Sequence, residues 1–472
     1  MLFNSWQFAL FFPIVFALYW GLPHKFRVWL LLIASYYFYM SWSAKYVVLI
    51  LFTTLVSYFA AILLERTHSQ RTKRLILAGS LVACLGVLFV FKYFNFFAGV
   101  LVDFMDVFAI KLHPTTLKLL LPVGISFYTF QTLGYVIDVY RGTTKAEHNL
   151  GVYATFISFF PQLVAGPIER TNNLLPQIKA VHTFNYSQAA YGIKLMTWGF
   201  FKKLCIADVV ALYVDKVFAD VYSYKGFALI LAVFLFTVQI YCDFSGYSDI
   251  ARGCSKMLGI DLMENFRSPY FSASIHEFWS RWHISLSTWF RDYVYIPLGG
   301  NRVSKARHNL NLMLTFMISG LWHGASWTFV AWGTVHGLAQ VIENALTSRK
   351  NEPHGLARVL RTAGTFVFVM FAWVFFRADR LSDAVYIFMN MWGNFTLHIG
   401  LGLGVKKAVV LFTALLALTV YDFISLKHDV MNIISSGNTL SRWLAYNIMI
   451  VVMFFIYTIL AVTNAAFVYF QF

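Results

Sequence analysis

The sequence predicts an all-α polytopic membrane protein, and three observations predict it. Hydrophobic residues make up 59% of the chain and charged residues only 12%, against about 25% charged in soluble domains. Apolar runs approaching the roughly 20 residues that a helix needs to cross a bilayer recur along the chain. Basic residues gather in short polar connections between those runs, as they do in cytoplasmic loops. A soluble protein has too little interior for so much apolar surface. Roughly ten to twelve membrane segments are expected, some broken or re-entrant.

The elements follow in order. Met1–Trp20 is apolar but lacks the basic head and small-residue cleavage site of a signal peptide, so it reads as a retained first span. Trp29–Ser41, Tyr46–Leu64 and Leu75–Phe91 are shorter or more polar apolar runs. Between the last two, Glu65–Arg74 carries Arg66, Arg71, Lys73 and Arg74 against one acid and reads as cytoplasmic. The hairpin Trp29–Leu64 then puts Lys25 and Arg27 on the same side, with the N-terminus outside. Phe227–Tyr241, Val405–Tyr421 and Trp443–Val462 are the cleanest spans, and Thr365–Phe376 is a shorter one.

No Pro-, Gly- or Ser-rich linker divides residues 1–472, which read as one membrane domain. Residues 1–110 are spans with short loops, and residues 351–472 return to ordinary spans after the polar loop Ser348–Arg361. The middle zone, about 111–350, differs. Leu121–Gly124, Pro161–Pro167 and Pro297–Asn301 interrupt apolar runs with Pro and Gly. Irregular chain at membrane depth is tolerated only inside protein or along a wet cavity, so function is expected here.

A net charge of +16 would suggest nucleic acid in a soluble protein. In a membrane protein it first reflects cytoplasmic loops, and no nucleic-acid partner is expected. The second basic concentration, Arg267–Arg307, is placed at the cytoplasmic face and suits an anionic, nucleotide-bearing coenzyme. Cys84, Cys205, Cys242 and Cys254 lack metal-ligand or disulfide spacing and read as small buried residues.

Two constellations carry chemistry. The segment His276–Gly300 reads as an amphipathic helix at or just below the membrane surface. His276 and His283 would share a face, Glu277 and Arg281 would pair at i,i+4, and Trp279, Trp282 and Trp289 would sit at the headgroups. The segment Ser319–Gly337 holds His323 in a Trp322–His323–Gly324 string, where the glycine would allow a ligand or helix to approach closely. His336, thirteen residues on, reads as a core histidine. A neutral imidazole can take the proton of a hydroxyl that attacks a thioester. A second polar group such as His283 would orient that base or stabilise the oxyanion. No GxSxG elbow, Walker A loop or HExxH helix occurs, and no metal is expected. Gly400, Gly402 and Gly404 alternate without a strand–helix unit, so a nucleotide fold is not indicated.

These residues resemble the membrane-bound O-acyltransferase family, in its bacterial branch of alginate, peptidoglycan and cellulose O-acetyltransferases. The similar strings are Phe160–Glu169, Gln239–Ile250, Phe278–Arg302 and Gly320–Gly337, with the opening MLFNSWQFALFFP and the closing FVYFQF. The resemblance implies a helical ring around a thinned core, with a tunnel from donor face to acceptor face. It implies acyl transfer from a cytoplasmic thioester, acetyl-CoA, to a hydroxyl. It implies that His323 is the principal catalytic residue and His283 the second, with Trp282, Trp322, Asp243 and Asp292 supporting the site. A bacterial cytoplasmic membrane, a polysaccharide acceptor and an extracytoplasmic SGNH-type partner follow from the same likeness. Arg252-Gly253-Cys254 departs from the small apolar residues usual there. Transfer of D-alanine or another acyl group remains an alternative, as does a glycan transporter, which would leave the two histidine motifs without a role.

Overall fold

The computed structural model describes residues 1–112, 116–346, 354–393, 405–460 and 467, and these are helical with short connections. Among the described residues, five stretches are long and apolar enough to cross a membrane: His24–Arg66, Gln70–Asp106, Phe227–Met257, Gly355–Arg377 and Ala408–Ser425. Trp6–Gly21 is a shorter apolar helix. The alternating Gly400, Gly402 and Gly404 lie outside the described residues, as does the closing string apart from Phe467.

The chain forms two compact units. The first comprises Met1–Ala189 with Cys254–Met263. It contains α1 (Trp6–Gly21), α2 (His24–Ser43), α3 (Val47–Arg66), α4 (Gln70–Leu88), α5 (Phe94–Asp106), α6 (Ile125–Arg141), α7 (Leu150–Ser158), α8 (Phe160–Leu163) and α9 (Thr171–Lys179). The basic stretch Glu65–Arg74 is mostly the end of α3 and the start of α4, with Thr67–Ser69 between them. Some buried polar groups in this unit pair with one another, as burial favours. The Tyr153 hydroxyl donates to Ser57 Oγ at 2.6 Å, and the Tyr58 hydroxyl donates to the His148 carbonyl at 2.6 Å. The string Phe160–Glu169 is core here. Its Glu169 carboxylate accepts the Met263 N–H at 2.5 Å and the Asn173 amide at 2.7 Å, which ties two loops together.

The second unit comprises Ala190–Gly253 and Glu264–Phe472. Its helices are α10 (Tyr186–Phe200), α11 (Asp208–Ala219), α12 (Phe227–Met257), α13 (Ile275–Arg281), α14 (Ile284–Phe290), α15 (Lys305–His323), α16 (Trp327–Leu346), α17 (Gly355–Arg377), α18 (Leu381–Asn390), α19 (Val405–Ser425), α20 (Val430–Ser436) and α21 (Thr439–Leu460). α10 and α12 begin or end in the first unit. The sequence places a polar loop over Ser348–Arg361, but α17 already begins at Gly355, so Arg358 and Arg361 are helical. Arg252-Gly253-Cys254 is a packed helical turn: Arg252 pairs with Glu264 at 3.3 Å, and Cys254 is buried. All four cysteines are buried.

The core of this unit is aromatic. Trp282, Trp332 and Trp373 are among its largest fully buried side chains. Trp332 stacks on Trp373 with centroids 5.6 Å apart, and Trp373 meets Trp282 at 5.0 Å. α15 and α16 form a hairpin through glycines spaced four apart, Gly320 and the C-cap Gly324 on one side and Gly333 and Gly337 on the other. A Cβ on Gly320 would strike the Phe329 carbonyl, one on Gly324 the Phe329 ring, and one on Gly333 the Phe316 carbonyl. Such small-residue seams bring helix backbones together where lipid supplies no hydrophobic drive. The glycine after His323 therefore admits a neighbouring helix.

Candidate active site

The segment His276–Gly300 is not one amphipathic helix. α13 ends at Arg281, His283 adopts the left-handed conformation (φ 43°, ψ 53°), α14 ends at Phe290, and a π-helical turn, Arg291–Tyr295, follows. His276 and His283 therefore do not share a helix face. The reason is tertiary. Asn265, which precedes α13 in the chain, offers its carbonyl to the Ile284 N–H at 3.0 Å and its side-chain oxygen to the Ser285 N–H at 3.2 Å. Arg267 N–H donates to the Arg281 carbonyl at 3.0 Å, and Phe266 bridges to Trp282. This short antiparallel contact competes with continuous helix. A left-handed non-glycine residue costs about 1–3 kcal/mol and marks a conformation that its surroundings enforce.

The start of the segment is held by contacts of α13. The Glu343 carboxylate of α16 accepts the Ile275 N–H at 2.7 Å, and Ser274 Oγ caps Glu277 N–H at 3.0 Å. Glu277 pairs with Arg281 at 2.7 Å, as its i,i+4 spacing predicts, and also with Arg358 of α17 at 3.1 Å. The interfacial reading of the tryptophans is corrected: Trp282 and Trp289 are buried and Trp279 is half-buried. Their rings fill the protein core, where each removes more apolar surface from water than a headgroup position would.

The kink turns consecutive side chains into different clusters. Trp282 stacks on Phe278 at 5.5 Å and packs against Trp373. His283, 1% exposed, meets the Phe244 ring edge-on at 4.6 Å and the Trp322 ring at 6.2 Å. Trp322 stands 4.8 Å from its neighbour His323, the last residue of α15. His323 is 6% exposed and edge-on to Trp332 and Phe376, each at 5.1 Å. The two histidines, forty positions apart in sequence, thus share one indole as a common wall. Burial holds the His283 imidazole well below its ordinary value, at about 3, because desolvation disfavours the imidazolium. A His283 that is neutral at physiological pH can accept or donate one hydrogen bond without adding charge to the site.

The other expected site residues are distributed differently. Asp243 shares Lys203 with Asp208, at 2.7 Å and 2.8 Å, in a buried ion cluster one residue from Phe244. Asp292 is partly exposed on the π-helical turn and takes the Arg291 Nε–H at 2.8 Å. His336 is fully buried, and the Trp279 indole N–H donates to its Nδ1 at 3.3 Å, so the core reading of that histidine stands. Sequence reasoning missed Asn265, Phe244, Trp373 and Phe376. Phe244 lay in the string Gln239–Ile250 and Trp373 and Phe376 in the span Thr365–Phe376, but no local pattern gave any of the four a role, because their contribution is contact across the fold. Trp332 lay within the string singled out for His323 but carried no separate signal.

A cavity of about 690 Å³ runs beside this cluster. Its lining follows α15 from Lys305 and His308 through Leu312 and Phe316 to Ser319, one turn before His323. Arg291, Ile284, Leu286 and Phe290 line it from the α13–α14 side. One end is thus basic and the interior mostly apolar. A second, more polar cavity of about 640 Å³ is lined by Lys202, Asp249, Arg252, Glu264 and Arg281, among others.

Comparison with known proteins gives the family. Residues 147–382 match the model of the membrane-bound O-acyltransferase family. The chain is 42% identical over 402 residues to the probable alginate O-acetylase AlgI of Azotobacter vinelandii, covering 84% of this chain and 79% of that one. It is 37% identical over 394 residues to the peptidoglycan O-acetyltransferase of Helicobacter pylori, covering 78% and 74%. Its likeness to the teichoic acid D-alanyltransferase of Streptococcus thermophilus is 32% over 257 residues, covering 51% and 62%. His283, Trp322 and His323 all fall within the matched family region. This multi-pass membrane protein is an O-acyltransferase and belongs to the membrane-bound O-acyltransferase family.

Proposed function

We propose that the chain, working as one membrane domain, moves an acetyl group from cytoplasmic acetyl-CoA toward hydroxyls of an extracytoplasmic polysaccharide. The carrying observation is that His283 and His323 are walled by Trp322, beside a cavity whose far end is basic. The relatives whose names specify O-acetylation share more identity with this chain, over more of its length, than the D-alanyltransferase does.

The direction of transfer follows from charge. Lys305 and Arg307 open α15, and Arg358 and Arg361 open α17, whose Arg358 reaches Glu277 of α13. Such basic helix ends favour the cytoplasmic side of a bacterial cytoplasmic membrane, with the N-terminus outside. The phosphates of acetyl-CoA would meet Lys305, His308 and Arg291, and the uncharged pantetheine arm would lie along Leu312 and Phe316. Pockets of roughly 300–1,000 Å³ suit ligands of this kind.

At the end of that arm the acceptor hydroxyl attacks the thioester carbonyl. His323 takes the hydroxyl proton as the C–O bond forms, and it returns a proton to the sulfur as the C–S bond breaks. His283, neutral at physiological pH, orients the acceptor or stabilises the carbonyl oxygen as it gains charge. Trp282 supports the site through Trp373 and Trp332, Trp322 through direct contact, and Asp243 through the helix that carries Phe244. Asp292 braces the turn that carries Arg291. The immediate acceptor is the nucleophilic serine of an SGNH-type partner, which passes the acetyl group to alginate, peptidoglycan or a related polymer.

Full-length protein in liposomes, with acetyl-CoA outside and mannuronate oligomers and the partner inside, tests this reading. Acetyl-CoA-dependent release of CoA with a 42-dalton gain on the glycan is expected, and a His323→Ala variant should lose both. Wild-type release by that variant overturns the mechanism. Turnover only with a D-alanyl donor would move the reading to D-alanyl transfer, and glycan movement without CoA release would indicate a transporter.

A further inference from the structure

His283 stands at the N-cap position of α14, yet its side chain makes no capping bond to that helix. The first N–H groups of a helix have no intrahelical partner, and burying them unpaired is costly. Here Ile284 and Ser285 are served from outside. The Asn265 carbonyl accepts from Ile284 at 3.0 Å and its Oδ1 accepts from Ser285 at 3.2 Å. Asn265 is 1% exposed, and its side-chain amide donates to Ser248 Oγ of α12 at 3.2 Å. The cap is therefore anchored to the long helix that also presents Phe244 to the His283 ring.

This arrangement separates two tasks that one residue would otherwise have to share. An N-cap side chain normally bends back onto its own helix. A histidine that did so would withdraw its ring from Trp322. With the cap supplied by another segment, the backbone at His283 is held left-handed while the imidazole stays directed at the site.

We infer that Asn265 is a positioning residue for the transfer reaction, acting through His283 by capping α14 in its place. The inference rests on the reading of His283 given above. An Asn265→Ala variant leaves the Ser285 N–H without this acceptor and loosens the kink. A displacement near 1 Å at a reacting group costs up to about a hundredfold in rate, so kcat should fall about ten- to a hundredfold with the KM for acetyl-CoA little changed. Asn265→Asp keeps the oxygen facing Ser285 and should recover most of that loss.

The deciding experiment measures kcat, KM and detergent melting for wild type, Asn265→Ala, Asn265→Asp, Ser248→Ala, His283→Ala and the His283→Ala/Asn265→Ala pair, by release of CoA from acetyl-CoA in the reconstituted system. If Asn265 acts through His283, the double variant is no slower than His283→Ala alone. A residue that merely stabilised the fold would lower the melting temperature, leave kcat per folded molecule unchanged and give no such epistasis. If Asn265→Ala does not fold, Ser248→Ala combined with His283→Ala supplies the same cycle, and independent effects there overturn the inference. Wild-type turnover by His283→Ala is a different failure: it removes the role of His283, whatever Asn265 does.

Discussion

The ring of His283 meets the indole of Trp322 edge to face with centroids 6.2 Å apart, and the same indole lies 4.8 Å from His323. Trp322 is thus a spacer of fixed width between the two histidines. Aromatic pairs prefer this edge-on arrangement, which contributes about 0.5–1.5 kcal/mol beyond area burial. The kink at His283 and the glycine seam of α15 and α16 act on that spacing from opposite sides. One sets where the His283 ring begins, and the other sets how deeply the end of α15 is drawn in.

Replacing Trp322 should therefore affect both histidines at once. Trp322→Phe keeps an aromatic wall but narrows it, and Trp322→Ala opens a cavity. Acyl transfer should fall modestly for the first and about a hundredfold for the second. Trp322→Ala should also destabilise the fold by about 3–5 kcal/mol. Steady-state CoA release beside detergent melting checks this; undiminished turnover by Trp322→Ala would sink the spacer role.

Because His283 is buried and neutral, it links stability to pH. Its value falls from 6.5 in the unfolded chain to about 3 in the fold, so between those limits the unfolded chain binds the extra proton. Stability from this residue is complete above about 6.5 and is lost as pH falls toward 3. At pH 5 the loss is on the order of 2 kcal/mol. Melting curves in detergent from pH 7.5 to 5 should flatten in His283→Gln. Equal pH slopes for the two proteins would contradict the assignment.

The α15–α16 seam leaves no room for a methyl group. Gly320→Ala should force the helices apart against the Phe329 carbonyl, destabilise the protein by about 1–3 kcal/mol and slow transfer through the displaced His323. Gly364→Ala, where a Cβ meets open space, is the control and should be neutral. Similar melting temperatures for the two variants would argue against backbone contact at Gly320.

Lys203 pairs with two buried carboxyl groups, Asp208 at 2.8 Å and Asp243 at 2.7 Å. Removing one member of a buried ion group leaves uncompensated charge and costs about 3–5 kcal/mol. Lys203→Met should accumulate poorly and melt early, and adding Asp208→Asn with Asp243→Asn should restore much of the yield. Gel-filtration profiles of the three proteins provide the test, and a monodisperse, wild-type-stable Lys203→Met would refute it.

The sequence by itself determined the membrane class, most of the long helices and the two histidine strings, because apolar length, charge bias and local motifs are properties of adjacent residues. It also determined the Glu277–Arg281 pair, which needs only helical spacing. It read His276–Gly300 as continuous helix because helical periodicity is local, and the break at His283 depends on a carbonyl and an amide from Asn265, eighteen positions upstream. It assigned Trp282 and Trp289 to the headgroups because composition does not distinguish an interface from an aromatic core. Only the tertiary structure decided that Trp322 separates His283 from His323, since that contact joins α14 to α15 across forty residues of chain. The physical reason is the same in each case. Solvent preference and helix propensity are carried by neighbours in sequence, whereas a kink, a cap supplied from another segment and a shared wall are carried by neighbours in space.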